Sequence, residues 1–121
     1  MKPLRILLVE DDAMVAITLA ELLETQGHCV CGIASTESEA VAAASFLKPE
    51  MMIVDAQLRE GSGLGAVDRI QLGCMVAHVF VSGDTLTIRA LRPCATVIQK
   101  PYFEDDLTCA IQRALDASAP A

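Results

Sequence analysis

Aromatic residues are scarce in this chain: it has no tryptophan, one tyrosine and three phenylalanines, 3% of 121 residues. Hydrophobic residues still make up 53%, so an aliphatic core is expected, in one domain spanning 1–121. Positive charge is also short. Nine Lys and Arg face sixteen Asp and Glu, for a net charge of -7 and a pI near 4.6. Such a chain repels the phosphate backbone that basic residues must neutralise, which argues against direct nucleic-acid binding. A long apolar run is missing as well. The stretch Ile6 to Val9, after Lys2 and Arg5, stops at three acids and is too short for a signal core or a membrane span. A soluble, cytoplasmic protein without membrane contact is expected. The cysteines (Cys29, Cys31, Cys74, Cys94 and Cys109) are odd in number and follow no secretory signal, which argues against a disulfide framework. Cys29 and Cys31 share one face of a strand and lack the spacing of a zinc or thioredoxin-type motif, so all five read as reduced, mostly packing residues. Internal repeats, low-complexity segments and linkers are absent too.

What is present is an alternation of short apolar runs and helical stretches. Ile6–Val9, Cys29–Ala34, Met51–Val54, Val76–Val81 and Ala95–Ile98 read as strands, several of them continuously apolar as in a sheet covered on both faces. Between them, Met14, Val15, Ile17, Leu19, Leu22 and Leu23 recur at helical spacing from Ala13 to about Thr25, with Gly27 as a stop. Thr36 and Glu39 suggest a capping box for a helix reaching Leu47. A third helix follows the Gly61–Ser62–Gly63 loop, from about Leu64 to Leu72, and only a short fourth fits between Thr85 and Leu91. Leu107, Ile111 and Leu115 mark a last helix, with a frayed tail from Ala117. This alternation predicts an α/β fold: a doubly wound, five-stranded parallel sheet of order 2-1-3-4-5.

Ligands of such sheets bind at the carboxyl ends of the strands, beside the switch point. Here strand 1 ends in Glu10–Asp11–Asp12, strand 3 in Asp55, strand 4 in Ser82 and strand 5 in Lys100. Converging carboxylates repel one another unless a cation intervenes, and a hard divalent ion with oxygen ligands suits them. Lys100 adds a charge for a phosphoryl oxygen and Ser82 a hydroxyl, which leaves Asp55 as a nucleophile able to form an aspartyl-phosphate. Singly, each residue has a plainer reading. Asp11 or Asp12 could be a helix cap, Asp55 a turn residue, Ser82–Gly83 a turn pair and Lys100 a surface lysine. Together, ending four of five parallel strands, they favour chemistry.

Leu8–Val9–Glu10–Asp11–Asp12, Ile53–Val54–Asp55, Val81–Ser82–Gly83 and Lys100–Pro101–Tyr102, in this order and spacing, resemble the receiver domain of response regulators in two-component and phosphorelay signalling. The resemblance covers nearly the whole chain. It implies the receiver (flavodoxin-like) fold and a signalling phosphoacceptor rather than an enzyme, with self-catalysed phosphotransfer and autodephosphorylation only. It also implies Mg2+ or Mn2+ bound by Asp11, Asp55 and the backbone carbonyl of Gln57, with Glu10 helping through water. Asp55 would accept the phosphoryl group from a phosphohistidine, and Ser82 and Lys100 would contact its oxygens. The partners implied are a sensor histidine kinase or a histidine phosphotransfer protein, and the chain itself would be a monomer or weak homodimer. No output domain is read in the sequence, so the phosphorylated surface would act on a partner in trans, pass the group on, or serve as a sink. The family usually has a cis bond at the position of Lys100–Pro101.

The departures matter. Val97 stands where receivers commonly carry the aromatic half of their switch, so a smaller or differently routed rearrangement is expected. The interval from Ser82 to Lys100 is short, which abbreviates helix 4. The loop after Asp55, Leu58–Arg59–Glu60–Gly61, lacks a frequent proline. Phe80–Val81–Ser82–Gly83 with Val97–Ile98–Gln99–Lys100–Pro101 resembles a mostly stand-alone subgroup that often has Phe-Ala-Thr-Gly at strand 4. Gln57 and Asp84 occupy positions that tune dephosphorylation in the family. Three rivals fare worse. A haloacid-dehalogenase-type phosphatase needs an acid at Gln57, a flavodoxin-like cofactor binder needs a donor-rich loop where the three acids stand, and a phosphorylation-independent module would not need the full set of Asp11, Asp55, Ser82 and Lys100.

Overall fold

The computed structural model describes residues 2–118. Its elements alternate throughout: β1 (Arg5–Val9), α1 (Ala13–Thr25), β2 (Cys29–Ala34), α2 (Glu37–Leu47), β3 (Met51–Asp55), α3 (Gly63–Gly73), β4 (Ala77–Ser82), α4 (Thr85–Leu91), β5 (Val97–Gln99) and α5 (Glu104–Ser118). All strands pair in parallel in the order β2-β1-β3-β4-β5, as the sequence predicts. Strand periodicity sorts the core into two layers. Ile6, Leu8, Met51, Ile53, Val79, Val81 and Ile98 pack against Leu19 and Leu23 of α1 and against Leu107 and Ile111 of α5. Leu7, Val9, Met52, Val54, Phe80 and Val97 face the other way, against Ala40 and Ala44 of α2, Ala66, Val67 and Ile70 of α3, and Ile88 of α4. Both faces are covered, which is why the strands read as unbroken apolar runs.

Short polar side chains start the helices. Asp12 Oδ1 accepts the N–H groups of Met14 and Val15, Thr36 accepts that of Glu39, Ser62 that of Gly65, and Asp84 that of Thr87. Since Asp12 is the cap of α1, the acidic pair that remains at the end of β1 is Glu10–Asp11. The capping box is half made: Glu39 turns back to the N–H and hydroxyl of Ser35, not to the N–H of Thr36.

Five sequence expectations need correction. On α1, Met14, Val15 and Ile17 are exposed, because the helix lies on the sheet along one stripe that Ala16, Leu19 and Leu23 fill. Cys29, Cys74, Cys94 and Cys109 are exposed rather than packed, and only Cys31 is partly covered. A register shift between Ile6 and Leu7 skips Cys31, so the two β2 cysteines are not equivalent neighbours on one face. The last strand is Val97–Gln99, since a turn bond from Ala95 N–H to the Arg92 carbonyl (3.0 Å) keeps Ala95 out of the ladder. Finally, α5 continues through Ser118 where fraying was expected, while 119–121 lie outside the described residues.

One buried polar group ties the sheet to its first turn. His28 is buried, and its Nδ1 accepts the N–H of Leu4 at 3.0 Å, which requires an unprotonated nitrogen there. Burial holds its imidazole below the usual pKa. The unfolded chain therefore binds this proton first as pH drops below about 6.5, so the stabilisation is complete above that value and is lost as pH falls through the folded pKa. Denaturant melts of a His28→Gln variant between pH 7 and pH 5 are expected to show a shallower acid loss than the parent.

Candidate functional site

The carboxyl edge of the sheet gathers the residues singled out in the sequence. Glu10 leaves the end of β1, Asp55 closes β3, Ser82 closes β4, and Lys100 follows β5. Val81, one residue before Ser82, is the register partner of Asp55, and Ser82 itself is paired with Gln99. The Lys100 N–H donates to the Ser82 carbonyl at 2.9 Å, which fixes the start of the lysine. The Lys100–Pro101 bond is cis. Helix α3 begins hard against the end of β3: a Cβ on Gly63 would lie 2.0 Å from the Asp55 carbonyl oxygen, so only glycine permits this approach.

Carboxylate oxygens of Glu10, Asp11 and Asp55 all lie within 4.8 Å of one another. Glu10 and Asp55 are buried and Asp11 is partly so. Asp55 Oδ1 accepts the N–H of Gln57 at 2.9 Å, while Oδ2 is 2.8 Å from Lys100 Nζ. Glu10 Oε2 accepts the N–H of Asp12 at 3.2 Å, and Oε1 lies 3.8 Å from the same ammonium. Asp11 Oδ2 accepts the N–H of Arg59 at 2.8 Å and is 3.7 Å from Arg59 Nε.

These contacts divide the protons unequally. Burial, joined by the charge of Asp55, pushes the Glu10 carboxyl up to about 7 despite the Asp12 N–H. Asp11 is held below the usual range, because partial burial is outweighed by hydrogen bonds from the Glu10 carboxyl and the Arg59 N–H and by the Arg59 charge. Lys100 loses solvent, yet bonding to Asp55 and the nearby Glu10 charge raise its pKa and keep it an ammonium. Near neutrality Glu10 is therefore only partly ionised, and a bound cation would drive its remaining proton off. Three hard oxygen donors, one of them retaining a proton near neutrality, fit Mg2+ or Mn2+. Of the three, Asp11 is the most open to solvent, while Glu10 and Asp55 are buried. Among the described residues no other group of three metal-ligating side chains lies this close.

Ser82 is buried, and its Oγ accepts the Asp84 N–H at 2.9 Å. Asp84 in turn receives the Thr87 N–H at 3.2 Å and its hydroxyl at 2.6 Å, so the serine is one bond away from the cap of α4. Gln99 bridges the same loop to β5, donating to the Gly83 carbonyl at 2.7 Å and accepting from Thr85 at 2.9 Å. Val97 is buried opposite Phe80 and near Ile88, in the space where a larger side chain would have to fit. Val97→Tyr is expected to overpack this layer and cost about 1–3 kcal/mol, read from urea midpoints.

Sequence reasoning missed Glu37. Its N–H donates to the Glu60 carbonyl (3.1 Å), its Oε1 accepts from Ser62 N–H (3.0 Å), and its Oε2 receives Arg69 Nη1 (3.1 Å). This carboxylate clamps the β3–α3 loop onto the start of α2. Gly61, at φ 79°, and Gly65 make room for it, since a Cβ on either would strike the Glu37 side chain at 2.4 and 2.5 Å. In the sequence Glu37 is one of two acids in a first helical turn, and nothing local marks it.

Comparison with known proteins gives a consistent set of relatives. A model of the response regulator receiver domain matches residues 6–112. The phyllosphere-induced regulator PhyR of Methylorubrum extorquens is 36% identical over 115 residues, covering 91% of this chain and 43% of that protein. The transcriptional regulatory protein PdtaR of Mycobacterium tuberculosis is 32% identical over 117 residues, covering 93% and 57%. The chain therefore spans about half the length of these curated relatives. Among solved structures, the solution NMR structure of the Erythrobacter litoralis PhyR receiver domain superposes with a TM-score of 0.87 at 28% identity, covering 100% of this chain and 97% of that one.

Proposed function

The chain belongs to the response regulator receiver family, and from that membership we propose that Asp55 is its phosphoacceptor, taking a phosphoryl group from the phosphohistidine of a sensor kinase or histidine phosphotransfer protein. The observation that carries this reading is the convergence of Glu10, Asp11 and Lys100 on Asp55. The Gln57 N–H pins Oδ1 and leaves Oδ2 to attack. As the new P–O bond forms, the P–N bond breaks and its electron pair returns to the imidazole. Lys100 Nζ, already at Oδ2, shifts to the phosphoryl oxygens, and the Ser82 hydroxyl donates to another. Asp11, Asp55, the Gln57 carbonyl and, through water, Glu10 would hold Mg2+ or Mn2+, which when bound neutralises charge on the carboxylates and the transferring group.

The signal then leaves by a route the contacts suggest. We infer that the Ser82 hydroxyl turns toward the phosphoryl group and in turning releases the Asp84 N–H, which loosens the cap of α4 and the Gln99 bridge to β5. No aromatic at position 97 is needed for this path. The chain is a signalling domain. Its catalysis would be confined to its own phosphotransfer and autodephosphorylation, and its output would fall on a partner in trans, on onward transfer or on a sink. Location in the cytoplasm, a monomeric or weakly dimeric state and indifference to nucleic acid and membranes complete the reading; no described helix is long and apolar enough to cross a membrane.

The test is direct. Incubation with phosphoramidate and Mg2+ is expected to add one phosphoryl mass, labile to hydroxylamine, and borohydride trapping should locate it in the peptide bearing Asp55. A label elsewhere, or one independent of the cation, would overturn the assignment.

A further inference from the structure

Two cations answer the three carboxylates of the site, and they do so differently. Lys100 serves Asp55 and Glu10 from a partly covered position. Arg59 serves Asp11 alone and by two separate means. Its N–H donates to Asp11 Oδ2 at 2.8 Å, and its guanidinium Nε stands 3.7 Å from that same oxygen, on a side chain that is 80% exposed. The N–H is held firmly, because the loop that carries it is clamped beyond Arg59 by Glu37, through Glu60 and Ser62. Among the described residues the guanidinium has no other hydrogen bond or ion pair, and it can swing into solvent without moving the loop.

We propose that Arg59 is a positioning residue with two opposed effects: its N–H aims the Asp11 carboxylate, and its guanidinium competes with the divalent cation for that carboxylate, setting how tightly the cation binds. This rests on the cation site proposed above. A unit charge a few ångströms from a doubly charged ion is repelled appreciably even in a watery dielectric, and the repulsion is screened by salt. The loop lacks a proline, and residue 59 in particular has the free N–H that this arrangement needs.

The experiment is titration with Mn2+, following free ion by electron paramagnetic resonance at low ionic strength, on the parent, Arg59→Gln, Arg59→Lys, Asp11→Asn and the double variant Asp11→Asn with Arg59→Gln. Arg59→Gln keeps the N–H and removes the charge, so it should bind Mn2+ about threefold to tenfold more tightly, with the gain shrinking at high salt. Arg59→Lys should stay near the parent. Asp11→Asn should weaken binding, and in that background Arg59→Gln should have little further effect. Binding by Arg59→Gln within about twofold of the parent, or weaker, while Asp11→Asn still loses affinity, would sink the competition and spare the cation site. No uptake by the parent or by Arg59→Gln would overturn both. Melting curves of the metal-free proteins keep the comparison clean, since a side chain this exposed should leave the fold unchanged.

Discussion

Asp55→Asn is expected to bring phosphoryl incorporation down to the level of a control without donor. The substitution preserves volume and keeps an Oδ1 acceptor for the Gln57 N–H, so the loop after β3 should stand as before. What it removes is the anionic oxygen that Lys100 faces at 2.8 Å, and an amide oxygen is no nucleophile toward phosphorus. Loss of label without loss of fold is the informative outcome; a variant that still takes up label would place the acceptor elsewhere. A second readout comes from Glu10. Its folded pKa near 7 lies above the unfolded carboxyl value of about 4.3, so its proton stabilises the cation-free fold at low pH, and that contribution is lost as pH rises through 7. Because the Asp55 charge contributes to the elevation, the Asn variant melted in EDTA should lose less stability across this window than the parent.

Phe80→Ala is expected to be the most damaging core change. Phe80 is the largest of the fully buried side chains. It pairs with Val54 on one side and Val97 on the other, and its ring meets that of His78 edge-on at a centroid distance of 5.3 Å. Its neighbours in this layer include Val54, Val67, Ile88 and Val97, aliphatic side chains already buried in their own packing. Truncation should cost about 3–5 kcal/mol, from lost burial plus an unrelaxed cavity. For a domain of this size that corresponds to a fall in Tm of roughly 10–20 °C by calorimetry. Phe80→Leu, which keeps most of the volume, should recover the greater part. A small effect from Phe80→Ala would mean that the α3–α4 side of the sheet is loosely packed and that the Val97 position has spare room after all.

Much of this architecture was legible in the residues. Continuous apolar runs betray strands covered on both faces, and the short distance from Ser82 to Lys100 leaves room for the seven-residue α4 and little else. Asp11, Asp55, Ser82 and Lys100 could be found because a parallel sheet brings all its strand ends to one edge, whatever the sequence separation. The rest depended on packing that no local pattern encodes. Periodicity could not say which apolar side chains of α1 lie outside the buried stripe, so Met14 and Ile17 read as core. The cysteines read as buried because small apolar residues usually are, whereas here most sit on edges and turns. Arg59 drew notice only as a missing proline, and its bond to Asp11 spans 48 positions. Glu37 was invisible for the same reason: its partners belong to a loop that follows a different strand.

The Glu37 clamp has a consequence for anyone who would alter the site. The segment between Asp55 and Gly63 owes its shape to a carboxylate that precedes β3 in the chain. Grafting that segment from another receiver, or into one, transfers the letters without the mould unless Glu37, Gly61 and Gly65 travel with it as one inseparable unit.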